Sequence, residues 1–201
     1  MFDPAMRRII EGPLDRVGRW LALAGLSANA VTVGGFAIGG GAAVALAFQH
    51  YWLALALILL NRVADGLDGA IARHAGITDL GGYLDIVLDF LFYSGAVFGF
   101  AVGRPDQALA AAFLIFSFVG TGSAFLAYAV MAAKRALTTE IRGRKSLYYI
   151  GGLAEGTETI AAFVALCLFP DWFAWIAYGF GAACWLTTLA RILAAVQEFG
   201  E

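Results

Sequence analysis

The sequence predicts an all-α integral membrane protein, with an N-terminal amphipathic interfacial helix followed by six transmembrane helices. Three observations carry this expectation. The 201 residues are 61% hydrophobic and 14% charged, with mean hydropathy +0.79, more apolar surface than a soluble domain of this size can hide. Six apolar stretches follow one another, each approaching the roughly 20 residues that cross a bilayer. Lys and Arg fall almost entirely on one side of those stretches.

In order along the chain, Phe2, Met6, Ile9, Ile10, Leu14, Val17 and Leu21 recur every three to four residues, while Arg7, Arg8, Glu11, Asp15, Arg16 and Arg19 take the other face. That is the period of an amphipathic helix, expected to lie in the membrane interface with its Arg side toward headgroups and to bend or divide at Pro13. The charges flanking the short apolar stretch near Trp20–Leu26 do not fit a secretory signal. The expected spans are Ala28–Ala47, Trp52–Ala72, Gly81–Val102, Ala108–Ala132, Leu147–Leu168 and Trp172–Ala194. One domain, 1–201, is expected, with 1–27 as the juxtamembrane helix and 28–194 as the bundle. In this layout Arg7, Arg8, Arg16, Arg19, Arg73, Lys134, Arg135, Arg142, Arg144, Lys145 and Arg191 share one side, Arg104 takes the other, and Arg62 lies within a span. The positive-inside rule then puts both termini and the ends of the charged segment in the cytoplasm, with a bacterial cytoplasmic membrane as the expected location.

Some classes are unsupported. With net charge -2 and no basic tail or strip, nucleic acid is not an expected partner. Cys167 and Cys184 sit in apolar runs and form no CxxC, so they read as small core fillers. The glycines Gly34, Gly35, Gly39, Gly40 and Gly41 in the first span read mainly as close-packing positions between helices.

The exception to this apolar pattern is "NRVADGLDGAIARHAGITDLGGYLDIVLD", residues 61–89, with five Asp and two Arg. On a helix, Asp65 and Asp68 share a face with Gly69 and Ala72, and Asp85 and Asp89 share a face of the next helix. The short link between them is expected to make the two helices antiparallel neighbours, so four carboxylates converge at one depth. An unpaired charge in a span costs about 2.5–3.5 kcal/mol, and four cost on the order of 10 kcal/mol, comparable to a domain's whole stability. Either a polar cavity opens there or cations neutralise the cluster. Hard oxygen ligands suit Mg²⁺ or Mn²⁺, and four Asp can hold a pair of them, an arrangement suited to phosphoryl chemistry. Arg73 adds a planar fork for a phosphate oxygen. The bland alternative is internal pairing of Arg62 and Arg73 with two of the acids, and two cations do not balance five.

The segment resembles the signature of the CDP-alcohol phosphatidyltransferase family, Asp-x-x-Asp-Gly-x-x-Ala-Arg, a spacer, then Gly-x-x-x-Asp-x-x-x-Asp. Here the fixed positions are Asp65, Asp68, Gly69, Ala72, Arg73, Gly81, Asp85 and Asp89. The spacer His74–Leu80 is about a residue shorter than is common. The resemblance implies that a CMP-activated lipid, usually CDP-diacylglycerol, gives its phosphatidyl group to a small alcohol and releases CMP, within a homodimer. It implies that Asp65, Asp68, Asp85 and Asp89 bind two divalent cations that hold the diphosphate, and that Asp89 is the general base. Gly69, Ala72 and Arg73 would contact the nucleotide and its phosphates. Upstream, "LSANAVTVGGF" is similar to the family's Pro-Asn-x-x-Thr segment: Asn29 and Thr32 keep the pattern and Ala28 replaces Pro. Nucleotide contact is the implied role; helix N-capping by Ser27 or Asn29 is the alternative.

Acceptor recognition is expected within "RGRKSLYYIGGLAEGTETI", residues 142–160. Arg144 and Lys145 are candidates for a phosphate or polyol, with topology and anionic headgroups as the competing use. The run Gly151–Thr159 resembles a segment of the inositol-phosphate-type enzymes in which Glu-Arg is followed by another Arg, but Glu155 and Glu158 stand here without those Arg residues, with Gly156 and Thr159 in the following places; this points away from a phosphorylated inositol and toward a cationic or hydroxyl-rich acceptor, or toward a salt link to Arg62 or Lys145. Three rivals stay open: transfer from a soluble CDP-alcohol to diacylglycerol; divalent-cation transport, which would need carboxylates continuing across the membrane; and a binding or scaffold protein descended from the enzyme, against which the complete signature argues.

Overall fold

A computed structural model describes residues 3–135, 154 and 156–200, with residues 3–10 described as a backbone path. The described residues form seven α-helices: α1 (Asp3–Leu23), α2 (Ala28–Ala47), α3 (Tyr51–Ala75), α4 (Asp79–Gly103), α5 (Ala108–Lys134), α6 (Gly156–Leu168) and α7 (Phe173–Phe199). Single 3₁₀ turns with Pro at their first position, Pro105–Gln107 and Pro170–Trp172, lead into α5 and α7.

Among the described residues, four helical segments are long and apolar enough to cross a membrane: Ala28–Ala47, Asp79–Gly103, Pro105–Lys134 and Pro170–Phe199. α3 is not among them, because it carries Arg62, Asp65 and Asp68. α6 has 13 residues, and residues 147–153 of the expected fifth span lie outside the described residues. The outer faces carry large apolar side chains, such as Leu109 and Phe116, a surface suited to lipid rather than water. Trp20, Trp52, Trp172 and Trp175 are exposed near helix ends, where amphipathic rings meet an interface.

α1 runs through Pro13 undivided. It docks on α3 at Gly18, where a Cβ would collide with the Cβ of Ala70. Ser27 caps α2, its hydroxyl accepting from the Ala30 N–H at 3.2 Å. Of the α2 glycines, Gly35 and Gly39 are buried against α3 and α4: a Cβ would lie 2.9 Å from Ala64 Cβ at the first and 2.5 Å from the Phe92 ring at the second. Gly34 and Gly40 face open space.

α3 and α4 are joined by a link of three residues, 76–78, but they do not pack backbone to backbone; α2 packs closely against both. Gly76, at φ +112°, ends α3, and the Thr78 hydroxyl caps α4 by accepting from Gly81 N–H at 3.1 Å. The small-residue face of α2 allows the close approach that bulkier α3 and α4 side chains prevent between themselves. Those side chains meet instead across a cleft.

Away from that cleft the core is aromatic and aliphatic. Phe100 of α4 stacks on Phe173 of α7 with centroids 4.1 Å apart, and Phe92, Phe118 and Phe163 form edge contacts in the same cluster. At this end Arg104 bonds Asp171 at 2.8 Å, and Gln49 donates to the Gly103 carbonyl at 2.7 Å, tying three loops together. At the acidic end Arg135, just past α5, donates to the last carbonyls of α7, Glu198 and Phe199, satisfying acceptors a helix end leaves open.

Candidate active site

The cleft is lined from three helices. α2 supplies Thr32, Gly35 and Phe36, α3 supplies Asn61, Arg62, Asp65 and Asp68, and α4 supplies Asp85, Leu88 and Asp89. Helical spacing explains the set: residues three or four apart rise along one face, so each helix turns one polar stripe inward.

Asp65, Asp68 and Asp85 each offer a carboxylate oxygen within 4.8 Å of the others. Asp68 is 6% exposed, and its Oδ2 is buried with no hydrogen-bond partner among the described residues. A buried carboxylate oxygen left without a donor costs stability, and three converging carboxylates add repulsion. A divalent hard cation relieves both, so the donor set fits Mg²⁺ or Mn²⁺.

Asp89 is engaged differently. Its Oδ1 accepts from Arg62 Nη2 at 2.8 Å and its Oδ2 accepts from the Tyr93 hydroxyl at 3.1 Å. Arg62 also reaches Asp65, Nη1 to Oδ2, at 3.8 Å. The guanidinium is fixed from every side: Nε and Nη2 donate to Asn61 Oδ1 at 2.8 and 2.6 Å, and Nη1 donates to Tyr93 OH at 3.1 Å. Its plane lies near the Phe92 and Tyr93 rings, 4.7 and 5.3 Å from their centroids. Asn61 is held in turn by donating Nδ2–H to the Gly35 carbonyl at 2.8 Å. The four expected carboxylates thus share one cleft, three in a group and the fourth held by Arg62.

The remaining expected residues are placed as follows. Thr32 lines the cleft and donates its hydroxyl to Ala28 O at 3.0 Å. Asn29 Oδ1 lies beside Gly81, 3.1 Å from where a Cβ would stand. Gly69 and Ala72 are half-buried on α3, with Arg73 Nη1 3.8 Å from a Cβ built at Gly69. Arg73 is half exposed and drawn toward Asp15 of α1 at 3.6 Å; His74 meets the same carboxylate at 3.1 Å. Glu158 is in the first turn of α6. Arg144, Lys145 and Glu155 lie outside the described residues. Asn61, Phe36, Leu88 and Tyr93 were not expected at the site. Asn61 precedes Asp65 by four and Tyr93 follows Asp89 by four, so helical spacing alone places two of them on the acidic faces.

The family model for CDP-alcohol phosphatidyltransferase matches residues 26–189. The chain is 51% identical over 193 residues to inner membrane protein YnjF of Escherichia coli strain K12, covering 96% of this chain and 94% of that protein. It is 35% identical over 99 residues to archaetidylinositol phosphate synthase of Pyrococcus horikoshii, covering 49% of this chain and 53% of the relative. Among solved structures, Mycobacterium tuberculosis phosphatidylinositol phosphate synthase with CDP-DAG bound has the same fold, with TM-score 0.72 at 16% identity over 91% of this chain and 93% of that one. The same enzyme in complex with manganese and citrate gives TM-score 0.71 at 18% identity, over 89% and 87% of the two chains. A family match running through almost the whole bundle, and including every fixed position of the acidic motif, means that the chain belongs to the CDP-alcohol phosphatidyltransferase family, transferases of phospholipid biosynthesis.

Proposed function

We propose that this enzyme transfers a phosphatidyl group from a CDP-linked lipid of the CDP-diacylglycerol type to the hydroxyl of a small alcohol, releasing CMP. The observation that carries this reading is the convergence of Asp65, Asp68 and Asp85 within 4.8 Å, with Asp89 lining the same cleft. These four acids would hold Mg²⁺ or Mn²⁺, as a pair of ions. Bound there, such ions neutralise the diphosphate and the charge that develops on the leaving CMP. The acceptor oxygen forms a bond to the lipid phosphorus, the diphosphate P–O bond breaks toward CMP, and the acceptor's proton passes to Asp89. Gly69 and Ala72 leave room for the nucleotide. Asn29, Thr32 and Arg73 bind the nucleotide and its phosphates, with Arg73 turning from Asp15 to do so.

The acceptor side is assigned to Arg144, Lys145, Glu155 and Glu158. The likeness to an archaetidylinositol phosphate synthase and to a phosphatidylinositol phosphate synthase favours a phosphorylated polyol; Gly156 and Thr159, in place of Arg, weigh against it. In this reading the chain is one domain with six spans and an interfacial α1. It is a homodimer of the bacterial inner membrane, with both termini and the site on the cytoplasmic side. The Lys and Arg asymmetry and the likeness to an inner membrane protein support that placement.

The test is CMP release from CDP-diacylglycerol by purified protein with Mg²⁺ or Mn²⁺. Glycerol 3-phosphate, serine, inositol phosphate, inositol, ethanolamine and choline are offered singly, with Asp89→Asn as control. Release with one acceptor, lost in the control, identifies the reaction and the substrate. Product formed only from a soluble CDP-alcohol and diacylglycerol would reverse the assignment of donor and acceptor.

A further inference from the structure

Arg73 belongs to the acidic motif but is not among the residues that line the cleft. It stands in the last turn of α3, and its guanidinium folds back over its own helix, with Nη1 3.8 Å from where a Cβ at Gly69 would stand. There it faces α1. Nη2 lies 3.6 Å from Asp15 Oδ1, and His74 Nε2 meets the same oxygen at 3.1 Å. A carboxylate only accepts, so the His74 ring donates. The helices beneath are closely fitted. A Cβ at Gly18 of α1 would collide with Ala70, and one at Gly66 of α3 would lie 2.7 Å from Leu14 Cδ1. Leu14 and Gly18 flank Asp15 in the sequence, so these two contacts hold its carboxylate in front of Arg73.

From this geometry we infer that Asp15 is a positioning residue that acts through Arg73: its carboxylate takes the place of a substrate phosphate on the guanidinium, and a nucleoside diphosphate has to displace it. The inference rests on the donor reading proposed above, in which Arg73 binds the phosphates. Carboxylate and phosphate are matched to the same planar fork, so they compete for Nη2. The Arg73 and Asp15 side chains are each about half exposed, and an ion pair of that kind is weak enough to exchange. When Arg73 turns to the phosphate, His74 keeps its contact with Asp15, and the fit at Gly18 and Gly66 keeps α1 docked. The carboxylate therefore stays close enough to take Arg73 back. Asp15 lowers the affinity for the nucleotide and speeds the departure of CMP without touching either.

Equilibrium dialysis of labelled CDP against the full-length protein with Mn²⁺ tests this. Asp15→Asn should tighten CDP binding about two- to fivefold, the scale of an exposed ion pair. In an Arg73→Gln background the same substitution should leave CDP affinity unchanged, because the two side chains act as one unit. Unchanged or weaker CDP binding by Asp15→Asn would overturn the inference, and that comparison decides even if Arg73→Gln does not fold. Equal tightening with Arg73→Gln would also overturn it, by reducing Asp15 to a general negative charge. Each of these results leaves the donor reading intact, whereas a wild type that binds no CDP with Mn²⁺ would overturn both.

Discussion

The two ends of the bundle solve different problems. At the far end, Phe100 and Phe173 stack at 4.1 Å and both are almost fully buried. There, close approach is bought with small residues: a Cβ at Gly99 would run into the carbonyl oxygen of Ala43. At the acidic end α2, α3 and α4 line a cleft, and a buried carboxylate oxygen on Asp68 has no hydrogen-bond partner among the described residues. The first end is arranged for stability by shape. The second holds Asp89 by the fixed guanidinium of Arg62 and leaves part of the cost of burying Asp68 to be met by what binds. Local conflicts of this kind are expected at functional sites and not in cores.

The sharpest way to break this contrast is a substitution at each end. Asp89→Asn should lower CMP release by about 10²–10⁴-fold, the range for loss of a general base. An active Asp89→Asn enzyme would remove Asp89 from the chemistry. Phe173→Ala should cost about 3–5 kcal/mol of stability through the cavity it leaves, read from a denaturation curve, while the folded fraction keeps its specific activity. If activity per folded molecule falls as well, the two ends are coupled and the division is wrong.

A smaller effect joins the site to stability. Mn²⁺ at about a hundredfold over its dissociation constant should stabilise the wild type by about 2.7 kcal/mol. Thermal melting of Asp68→Asn should show little of that gain; an equal gain would place the ion elsewhere. Smallest is the loop pair at the far end. The Asp171 side chain is 84% exposed where it meets Arg104, so Asp171→Asn should change stability by about 0–1 kcal/mol. A larger loss, measured by the same melting curves, would mean that this pair organises the three loops.

Much of this was legible in the sequence. Ala28–Ala47 could be read to the residue because Ser27 marks its start and the apolar run is unbroken. The acidic set could be read because i, i+3 and i, i+4 spacing depends only on helix geometry. The role of Arg62 could not. Its partner Asp89 lies 27 residues away on a different helix, and which acid a buried Arg chooses depends on the angle between helices that pack through a third. A short link makes α3 and α4 meet through their side chains, but it does not reveal that both pack their backbones closely on α2. Nor does the motif reveal that Arg73 meets Asp15 of α1 at 3.6 Å, since that partner lies far upstream in the chain.

The cleft's order along the chain has a consequence for how such a protein changes over generations. Every residue lining it falls between Thr32 and Asp89, and the last member of the Arg62 clamp is Tyr93. The residues proposed to recognise the acceptor begin only at Arg144. On the proposed assignment, donor chemistry and acceptor choice would lie in two successive stretches that do not interleave. A single recombination point within α5 would keep every residue lining the acid cleft together while exchanging the proposed acceptor segment and re-pairing the ring contacts of Phe92 and Tyr93 with Phe163.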